Sequence, residues 1–299
     1  MQEKVIICIC TYNRAFSLKR CLESLVKIKY NNFEIVVVDN NSTDSTKDVV
    51  KEFENVDYLL EVKQGVAFAR NCFLNYCHKL QEQTNISYIA FIDDDETVPE
   101  NWIEKMLDCM ICNSQIAVVS GPCIPIYFEQ QAPVWLPEGL HNANEHKKDI
   151  NQAYKKMDVL TGNCFINYNV IKKENICFNV NLGRKGNKTL GGEDTDFFYI
   201  LVNGKYLYAF TANAPIYHWI EKERLTFKYC TKRFFLEGVS EYCRKDTVII
   251  YKSIPKLLIQ SMHFILSLVS LNKKYIVIRF LKLIKTGGII VAPYYMRRM

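Results

Sequence analysis

Three consecutive aspartates, Asp93 to Asp95, follow the apolar run "YIAFI" at residues 88–92. Ionised neighbouring carboxylates repel one another and raise each other's pKa, so such a run needs a cation or a chemical role. Asp93 and Asp95 are two residues apart, and in an extended segment their side chains point to the same side. Carboxylates arranged in this way suit a hard cation such as Mg²⁺ or Mn²⁺, which usually also holds phosphate oxygens. The run therefore indicates a site for a divalent cation and a phosphate-bearing ligand.

A second group of acids lies in "TLGGEDTDFFYIL", where Glu193, Asp194 and Asp196 occupy the first turn of a predicted helix. A carboxylate held there can take a proton from a substrate hydroxyl. The same residue types also cap helices and complement the helix dipole. Taken alone, the motif favours the structural role, because helix caps are common.

Polar residues also follow the first two predicted strands, "KVIICICTY" and "FEIVVVDNN". Both runs are rich in β-branched residues and lack alternation, as is typical of strands buried on both faces. An amphipathic helix at residues 16–28 separates them, and this order predicts a parallel sheet with ligands at its carboxyl-terminal edge. The clusters at residues 11–14, 39–42 and 93–95 would then converge. Each cluster alone could be turn chemistry, but all three at strand ends favour a binding site.

Several other classes of protein are disfavoured by the sequence. No "GxxxxGK[ST]" loop exists, and no glycine-rich fingerprint follows the first strand, which argues against P-loop and dinucleotide-binding folds. The twelve cysteines lie mostly inside apolar segments, and the N-terminus lacks a secretion signal. We therefore interpret the cysteines as small core residues in a reducing cytoplasm.

The order of motifs along the chain resembles that of the family 2 glycosyltransferases. The motifs are "TYNR", "VVDNNSTDST", "GVAFARN", "FIDDDETVP", "GNCF", "GGEDTDF" and "YHW", and they fall within residues 4–240. The resemblance implies the A-type fold of that family, an α/β fold with a mixed, mainly parallel sheet flanked by helices. It also implies an inverting transferase that moves a sugar from a nucleotide-diphosphate donor, with UDP-sugars favoured.

The resemblance also assigns roles to individual residues. The donor would contact Thr11, Asn13, Arg14, Asp39, Asn41, Arg70, Asp93 and Asp94. Within that set, Asp39 would bind the base and Asp93 the ribose or the sugar. Asp95 is expected on Mn²⁺ or Mg²⁺, where the ion would stabilise the departing diphosphate.

Four further residues complete the implied site. Asp194 would be the catalytic base and Glu193 an acceptor-binding residue. His218 matches a position for a metal or diphosphate ligand, although an isolated histidine is as often structural. Trp135 could form an aromatic wall for an acceptor sugar, although aromatic residues are more often part of a core.

The end of the chain differs from the rest in charge. Residues 247–299 contain nine Lys or Arg and no Asp or Glu, whereas the remaining chain has 29 basic and 32 acidic residues. One helical stripe of this segment is apolar: Ile254, Leu257, Leu258, Met262, Ile265, Leu268 and Val269. The other stripe is polar: Lys256, Gln260, His263, Ser267 and Ser270. These polar residues favour binding at a membrane interface over spanning the membrane, and the alternative is a helix packed on the catalytic domain with a solvated basic face.

Residues 1–246 are thus predicted to form a glycosyltransferase catalytic domain, and residues 247–299 a basic amphipathic helical extension. The predicted enzyme is a metal-dependent, inverting hexosyltransferase in the cytoplasm, peripheral on the inner face of the cell membrane. The extension would contact the anionic membrane surface. The acceptor is expected to be a membrane-associated glycan or lipid-linked sugar in bacterial surface polysaccharide or glycoconjugate assembly, and no nucleic acid is expected as a partner.

Two alternatives remain open. A sugar-1-phosphate nucleotidylyltransferase would be expected to carry a glycine-rich "GxGTR" loop after the first strand. The segment "CTYNR" at that place is not such a loop. A degenerate, non-catalytic carbohydrate-binding relative would be expected to have lost Asp95 or Asp194, and both are present.

Overall fold

The structure is a computed structural model that describes residues 2–137, 140–141, 161–185, 188–189, 191–202, 206–245 and 248–297. The strands are β1 Val5–Thr11, β2 Phe33–Asp39, β3 Val56–Leu60, β4 Tyr88–Asp93, β5 Glu96–Thr97, β6 Ile116–Ser120, β7 Cys123–Ile126, β8 Cys164–Asn167, β9 Arg184–Lys185, β10 Lys188–Thr189, β11 Leu207–Phe210 and β12 Ile216–Trp219. The α-helices are α1 Ala15–Leu25, α2 Thr46–Lys51, α3 Val66–Leu80, α4 Trp102–Met110, α5 Tyr168–Glu174, α6 Glu193–Val202, α7 Phe227–Lys245, α8 Val248–Val269 and α9 Lys273–Arg297. Two short 3-10 helices cover Thr161–Asn163 and Lys222–Leu225.

Seven strands form the main sheet, in the order β11-β6-β8-β4-β1-β2-β3. Strands β1 to β4 are mutually parallel where they pair, and β11 is parallel to β6. Strand β8 lies between β4 and β6 and is antiparallel to both. The predicted fold class, a mixed and mainly parallel sheet flanked by helices, is therefore confirmed, and helices α8 and α9 follow it at the C-terminal end.

The central strands are buried on both faces, which explains their unbroken apolar sequence. On one face Ile7 belongs to a core that includes Leu18 of α1 and Trp102 of α4. On the other face Ile6 belongs to a core that includes Phe73 of α3. Each fully buried side chain of this size contributes about 1.5–3 kcal/mol. Because burial on two faces fixes the register of the strands, it also fixes where their polar carboxyl-terminal residues emerge.

A small three-stranded sheet stands beside the ends of the main strands, in the order β5-β12-β7. Strand β12 is antiparallel to β5, with His218 opposite Glu96, and parallel to β7. Strands β9 and β10 form a separate antiparallel pair. The small sheet therefore brings a histidine next to an acid that directly follows the aspartate run.

All twelve cysteines fall in the described part of the chain, and no disulfide joins them. Seven are buried, as expected for core residues, whereas Cys112 and Cys177 are exposed.

The chain divides into two compact units. The first comprises residues 1–126, 141–180 and 193–219 and contains the main and small sheets. The second comprises residues 127–140, 181–192 and 220–299, and within it α7 and α8 both pack on α9. The division at residues 246 and 247 that the charge pattern predicts stays a prediction, since those two residues lie outside the described part. Of the helices that the structure describes, none has both the length and the apolar character needed to cross a membrane.

Candidate active site

The aspartate run forms a tight turn at the end of β4. Asp93 is the last residue of that strand, Asp94 and Asp95 make the turn, and Glu96 begins β5. The extended geometry expected for Asp93 to Asp95 is therefore wrong, because the chain reverses there to reach the small sheet. The turn nevertheless gathers the carboxylates: oxygens of Asp93, Asp95 and Glu96 lie within 4.8 Å of one another.

Residues at the end of β1 and the start of α1 hold this turn. Thr11 Oγ1 donates to Asp94 Oδ2 at 2.7 Å. Arg14 Nη1 lies 2.9 Å from both Asp94 Oδ1 and Asp95 Oδ2. The backbone N–H of Asp93 donates to Glu96 Oε2 at 2.9 Å. Two of the expected donor residues, Thr11 and Arg14, therefore contact the aspartates directly.

The turn is rich in buried negative charge. Burial raises the pKa of Asp94 to about 6, although the Arg14 guanidinium acts in the opposite direction. Burial, with the charges of Asp93 and Asp95, raises the pKa of Glu96 well above its usual range. A divalent cation would favour the ionised form of these acids and offset their repulsion. Carboxylate oxygens on Asp93, Asp95 and Glu96 are the ligand type that Mg²⁺ and Mn²⁺ prefer, so the residues present fit such an ion.

His218 lies at the same turn, as the motif order implied. Its Nε2 is 3.4 Å from Asp95 Oδ2. With Glu96 and Cys123 it forms a second group whose ligand atoms lie within 4.8 Å of one another. This group contains an imidazole and a thiol, which suit a softer metal than the three carboxylates do.

Glu96 is a site residue that the sequence reasoning missed, although it directly follows the aspartates. Glu96 is buried, and its carboxylate lies against Gly162 of the "GNCF" motif, which has no side chain. A Cβ atom at position 162 would lie only 2.4 Å from Glu96 Oε1. The glycine therefore permits the close approach of the Glu96 carboxylate to the backbone after residue 161.

The second group of acids surrounds Arg70 of α3, whose side chain is buried. Arg70 Nη1 donates to Asp194 and, at 3.1 Å, to Glu193 Oε1. Arg70 Nη2 donates to Thr161 Oγ1 at 2.6 Å, and that hydroxyl donates to Asp194 Oδ2 at 2.8 Å. Arg70 Nη2 is also 3.7 Å from Asp93 Oδ1, so one arginine side chain links the two acidic groups. Thr161 was not predicted, although it directly precedes the "GNCF" motif.

The backbone before α6 presents both acids to Arg70. Gly192 has a φ of 104°, in the left-handed region that favours glycine. Helix α6 begins at the next residue, Glu193. Gly192 thus allows the turn that places two successive acids at the start of a helix.

The two acids around Arg70 titrate in opposite directions. Burial raises the pKa of Glu193 to about 8, and the Asp194 charge adds to that effect. Burial also acts to raise the pKa of Asp194, but Arg70, Glu193 and Thr161 together bring it below its ordinary value. Burial acts to lower the pKa of Arg70, and the carboxylates, led by Asp194, raise it instead. Burial thus favours the neutral form of Glu193, whereas Arg70 favours the carboxylate of Asp194.

The loops after β1 and β2 are joined, as expected from their positions at adjacent strand ends. The Asn13 N–H donates to Ser42 Oγ at 2.9 Å, and Asn13 Oδ1 accepts from the Thr43 N–H at 2.7 Å. Asn13 and Asn41 have positive φ values of 51° and 65°, which asparagine tolerates better than most residues. The convergence of the three polar clusters on one edge of the sheet is thus confirmed.

Asp39, the last residue of β2, is buried and already accepts two hydrogen bonds. Its Oδ1 accepts from the Ser42 N–H at 2.9 Å, and its Oδ2 accepts from Tyr58 Oη at 2.8 Å. Burial, together with this carboxylate, raises the pKa of Tyr58 to about 12. Each carboxylate oxygen keeps a further acceptor position.

Trp135 is the one predicted site residue outside the first unit. It belongs to the second unit, where its ring lies 5.9 Å from that of Phe227. The other predicted residues all belong to the first unit. A contact of Trp135 with an acceptor stays a prediction.

Known proteins resemble this chain in sequence. A family model described as glycosyl transferase family 2 matches residues 6–173. The succinoglycan biosynthesis protein ExoM of Rhizobium meliloti is 25% identical, over 77% of this chain and 71% of ExoM. The glycosyltransferase GlyA of Streptococcus pneumoniae serotype 4 is 30% identical over 110 residues, which span 36% of this chain and only 15% of GlyA.

Solved structures resemble the chain in fold. The mannosyltransferase PcManGT from Pyrobaculum calidifontis, solved with GDP-Man and Mn²⁺, has a TM-score of 0.66 at 12% identity, over 99% of this chain and 88% of that one. S. aureus TarS 1–349, solved with UDP, has a TM-score of 0.57 at 14% identity, over 99% of this chain and 92% of that one. The family model matches more than half of the length of this chain. The chain therefore belongs to glycosyl transferase family 2, and its fold is of the A type.

Proposed function

We propose that this glycosyltransferase moves a sugar, with inversion, from a nucleotide-diphosphate donor to a glycan or lipid-linked acceptor, and that a divalent metal assists. A UDP-sugar is the favoured donor, and bacterial surface polysaccharide or glycoconjugate assembly is the proposed setting. One observation carries the proposal: two groups of acids, one suited to a cation and one held by Arg70, meet at the ligand-binding edge of the sheet, where Arg70 Nη2 lies 3.7 Å from Asp93 Oδ1. The similarity to the succinoglycan biosynthesis protein ExoM, to TarS solved with UDP and to PcManGT solved with GDP-Man and Mn²⁺ supports the proposal.

The donor half of the site is proposed to lie at the strand ends. Asp95, with Asp93, Glu96 and His218, would hold Mn²⁺ or Mg²⁺, which when bound supplies positive charge for the departing diphosphate. The remaining donor contacts would come from Thr11, Asn13, Arg14, Asp39, Asn41, Arg70 and Asp94. Two arginines in this set offer bidentate hydrogen bonds, which suit phosphate oxygens.

The acceptor half is proposed to be the cluster of Arg70, Thr161, Glu193 and Asp194, which we call the Arg70 group. Asp194, kept ionised by Arg70 and Thr161, takes the proton of the acceptor hydroxyl as its oxygen attacks the anomeric carbon. Glu193, neutral near pH 7, can donate a hydrogen bond to the acceptor, and Trp135 is retained as a proposed acceptor contact. Attack on the side opposite the diphosphate inverts the anomeric configuration. The lowered pKa ensures that Asp194 is ionised, at the expense of some basic strength.

The place of action is proposed to be the inner face of the cell membrane, with the protein bound peripherally through the basic segment 247–299. That segment has nine basic residues and no acid, and each Lys or Arg near an anionic surface contributes about 1 kcal/mol. A membrane-associated acceptor would then be within reach of the same surface.

A donor screen tests the proposed chemistry. The full chain is incubated with UDP-, GDP- and dTDP-sugars in Mn²⁺, and released nucleoside diphosphate is measured with and without EDTA. We expect turnover of one donor class, abolished by EDTA. Full turnover in EDTA would contradict the metal assignment, and pyrophosphate formed from a sugar-1-phosphate and a nucleoside triphosphate would instead identify a nucleotidylyltransferase.

A further inference from the structure

Helix α8 buries polar residues against the rest of its unit. Ser253 and Ser267 are buried, and Gln260, halfway between them, accepts a hydrogen bond of 2.5 Å from Thr286 Oγ1 of α9. These three residues recur every seven positions, so they form one stripe along the helix. The side of α8 that packs on α9 therefore carries buried polar residues, together with Phe264, whose ring lies 5.7 Å from that of Phe280.

The opposite side of this segment is apolar and exposed. Ten large apolar side chains are exposed here: Tyr251, Ile254, Leu258, Ile259, Met262, Ile265, Leu266, Leu268, Val269 and Leu271. We call these ten residues the outward face. Leu258 is 68% exposed and Val269 is 81% exposed. Of the predicted apolar stripe only Leu257 is half-buried and the other members are exposed, while Lys256 and Ser270 of the polar stripe are exposed as well.

Leu271, which follows α8, is the most exposed member of the outward face. It is 86% exposed and has a φ of 54°, in the left-handed region that disfavours residues with a branched side chain. An exposed leucine in that backbone conformation does not stabilise the folded chain through burial. Local strain of this kind is concentrated at functional positions.

The charge around the outward face argues against a second copy of the chain as its partner. Lys252, Lys256 and Lys273 are exposed beside it, and residues 247–299 contain no acid. Two copies joined through this face would bring their basic residues together without acids from the same segment. A bilayer with anionic headgroups offers apolar chains for the outward face and phosphate groups for the lysines.

We propose that α8 lies in the plane of an anionic bilayer, with the outward face inserted below the phosphate groups and the lysines at their level. No described helix can cross the bilayer, which agrees with a helix lying in its plane. The inference rests on the proposed membrane location and adds the surface and the mode of contact. If only the lysines were attracted to the bilayer, the protein would still bind the membrane, but the outward face would not insert.

Vesicle sedimentation tests the role of the outward face. The full chain is mixed with vesicles of equal parts phosphatidylglycerol and phosphatidylcholine, at low and at high salt. The double variant L258Q/I265Q should bind at least about tenfold more weakly at both salt concentrations, because each apolar side chain moved from water into lipid contributes about that factor. The control V26Q/I111Q alters two exposed apolar residues of the first unit and should bind like the wild type.

Charge and insertion are separated by two further variants. K252Q/K256Q should weaken binding severalfold at low salt and have little effect at high salt, because salt screens charge. Lipids brominated on their acyl chains should quench M262W more strongly than the wild type, whose three native tryptophans give the background. Quenching of bound M262W no greater than that of the bound wild type would overturn the inference, and this test does not depend on the folding of L258Q/I265Q.

Two other outcomes would also overturn the proposal. Wild-type binding by L258Q/I265Q would show that the lysines act alone, while the proposed membrane location would stand. A wild-type dimer in the absence of vesicles that L258Q/I265Q dissociates would show that a second copy covers the face. None of these measurements requires turnover, so failure of the proposed transferase chemistry would be recognised separately.

Discussion

Two groups of buried acids lie at one edge of the sheet, and they differ in how their charge is balanced. In the Arg70 group, one guanidinium contacts Glu193 and Asp194; it lowers the pKa of Asp194, while burial raises that of Glu193 to about 8. In the turn of residues 93–96, Arg14 contacts Asp94 and Asp95, yet the pKa values of Asp94 and Glu96 are raised. The chain thus supplies its own cation next to the proposed base. Where a metal is proposed, it leaves negative charge that an ion from solution can offset.

Removal of Arg70 should have the largest effect on stability and on transfer, because it removes the cation that distinguishes the Arg70 group from the turn of residues 93–96. Arg70→Met would leave the buried Glu193 and the partly buried Asp194 without their cation, and breaking a buried ion pair in this way costs about 3–5 kcal/mol. Urea unfolding measures that loss, and transfer should be lost with it. The control Lys19→Met breaks the exposed pair Lys19–Glu52 and should give no resolvable change. Equal stability of the Arg70 variant and the wild type would contradict the account.

Replacement of the proposed base tests the chemical role of the Arg70 group. Asp194→Asn should lower transfer by about 10²–10⁴ while affinity for the nucleotide-sugar changes little, because the acceptor step needs the base. Steady-state turnover and donor calorimetry measure the two effects separately. If Asp194 were only a helix cap, Asn would substitute well. Near-normal turnover at normal stability would move the search for the base to Glu193 or Asp196.

Crowding of Glu96 tests the turn of residues 93–96. In Gly162→Ala the new Cβ would lie 2.4 Å from Glu96 Oε1, so the carboxylate must move, and overpacking of this kind costs about 1–3 kcal/mol. Affinity for Mn²⁺ should fall as well. Gly191→Ala is the matched control, because a Cβ there meets nothing within 4 Å. Identical thermal unfolding and Mn²⁺ titrations for the two variants would remove Glu96 from the proposed ligand set.

The pH dependence of stability tests the neutral state of Glu193 and should show the smallest effect. The pKa of Glu193 is about 8 in the folded protein and near 4.3 in an unfolded chain. The folded state therefore binds more protons between those pH values, and this group lowers the free energy of unfolding as pH rises through that window. Glu193→Gln mimics the neutral acid and should flatten the decline. An unchanged slope in urea unfolding from pH 5 to pH 8 would show that Glu193 is already ionised.

Much of the fold could be predicted from the sequence because its signals are local. Apolar runs without alternation predicted strands buried on both faces, and the polar residues after them predicted a binding edge. The antiparallel strand β8 was not predicted, because a strand of four residues carries little pattern. For α8, periodicity defined two stripes but did not show which one is buried, since that depends on the surface of α9.

The residue types of the site could be predicted from the sequence, but which of these residues contact one another could not. Asp194 and Asp95 were found in motifs, whereas the contact of Arg70 with Asp194 joins residues 124 positions apart. No spacing rule reaches that distance, and Arg70 was therefore assigned only to the donor. Thr161 precedes the "GNCF" motif and Glu96 follows the aspartate run, so both lie next to segments that the sequence singled out. Their contacts depend on a turn and a 3-10 helix that the sequence pattern did not define.

We propose that the turn of residues 93–96 binds a divalent cation together with the donor diphosphate. Mn²⁺ titration of the full chain, followed by electron paramagnetic resonance with and without UDP, tests it most directly. Asp95→Asn should weaken Mn²⁺ binding at least about tenfold, since even residues that only support metal ligands have effects of that size. Asp108→Asn alters an exposed aspartate of α4 and should bind like the wild type. Equal Mn²⁺ affinity in the two variants, or no binding by the wild type in the presence of UDP, would contradict the account.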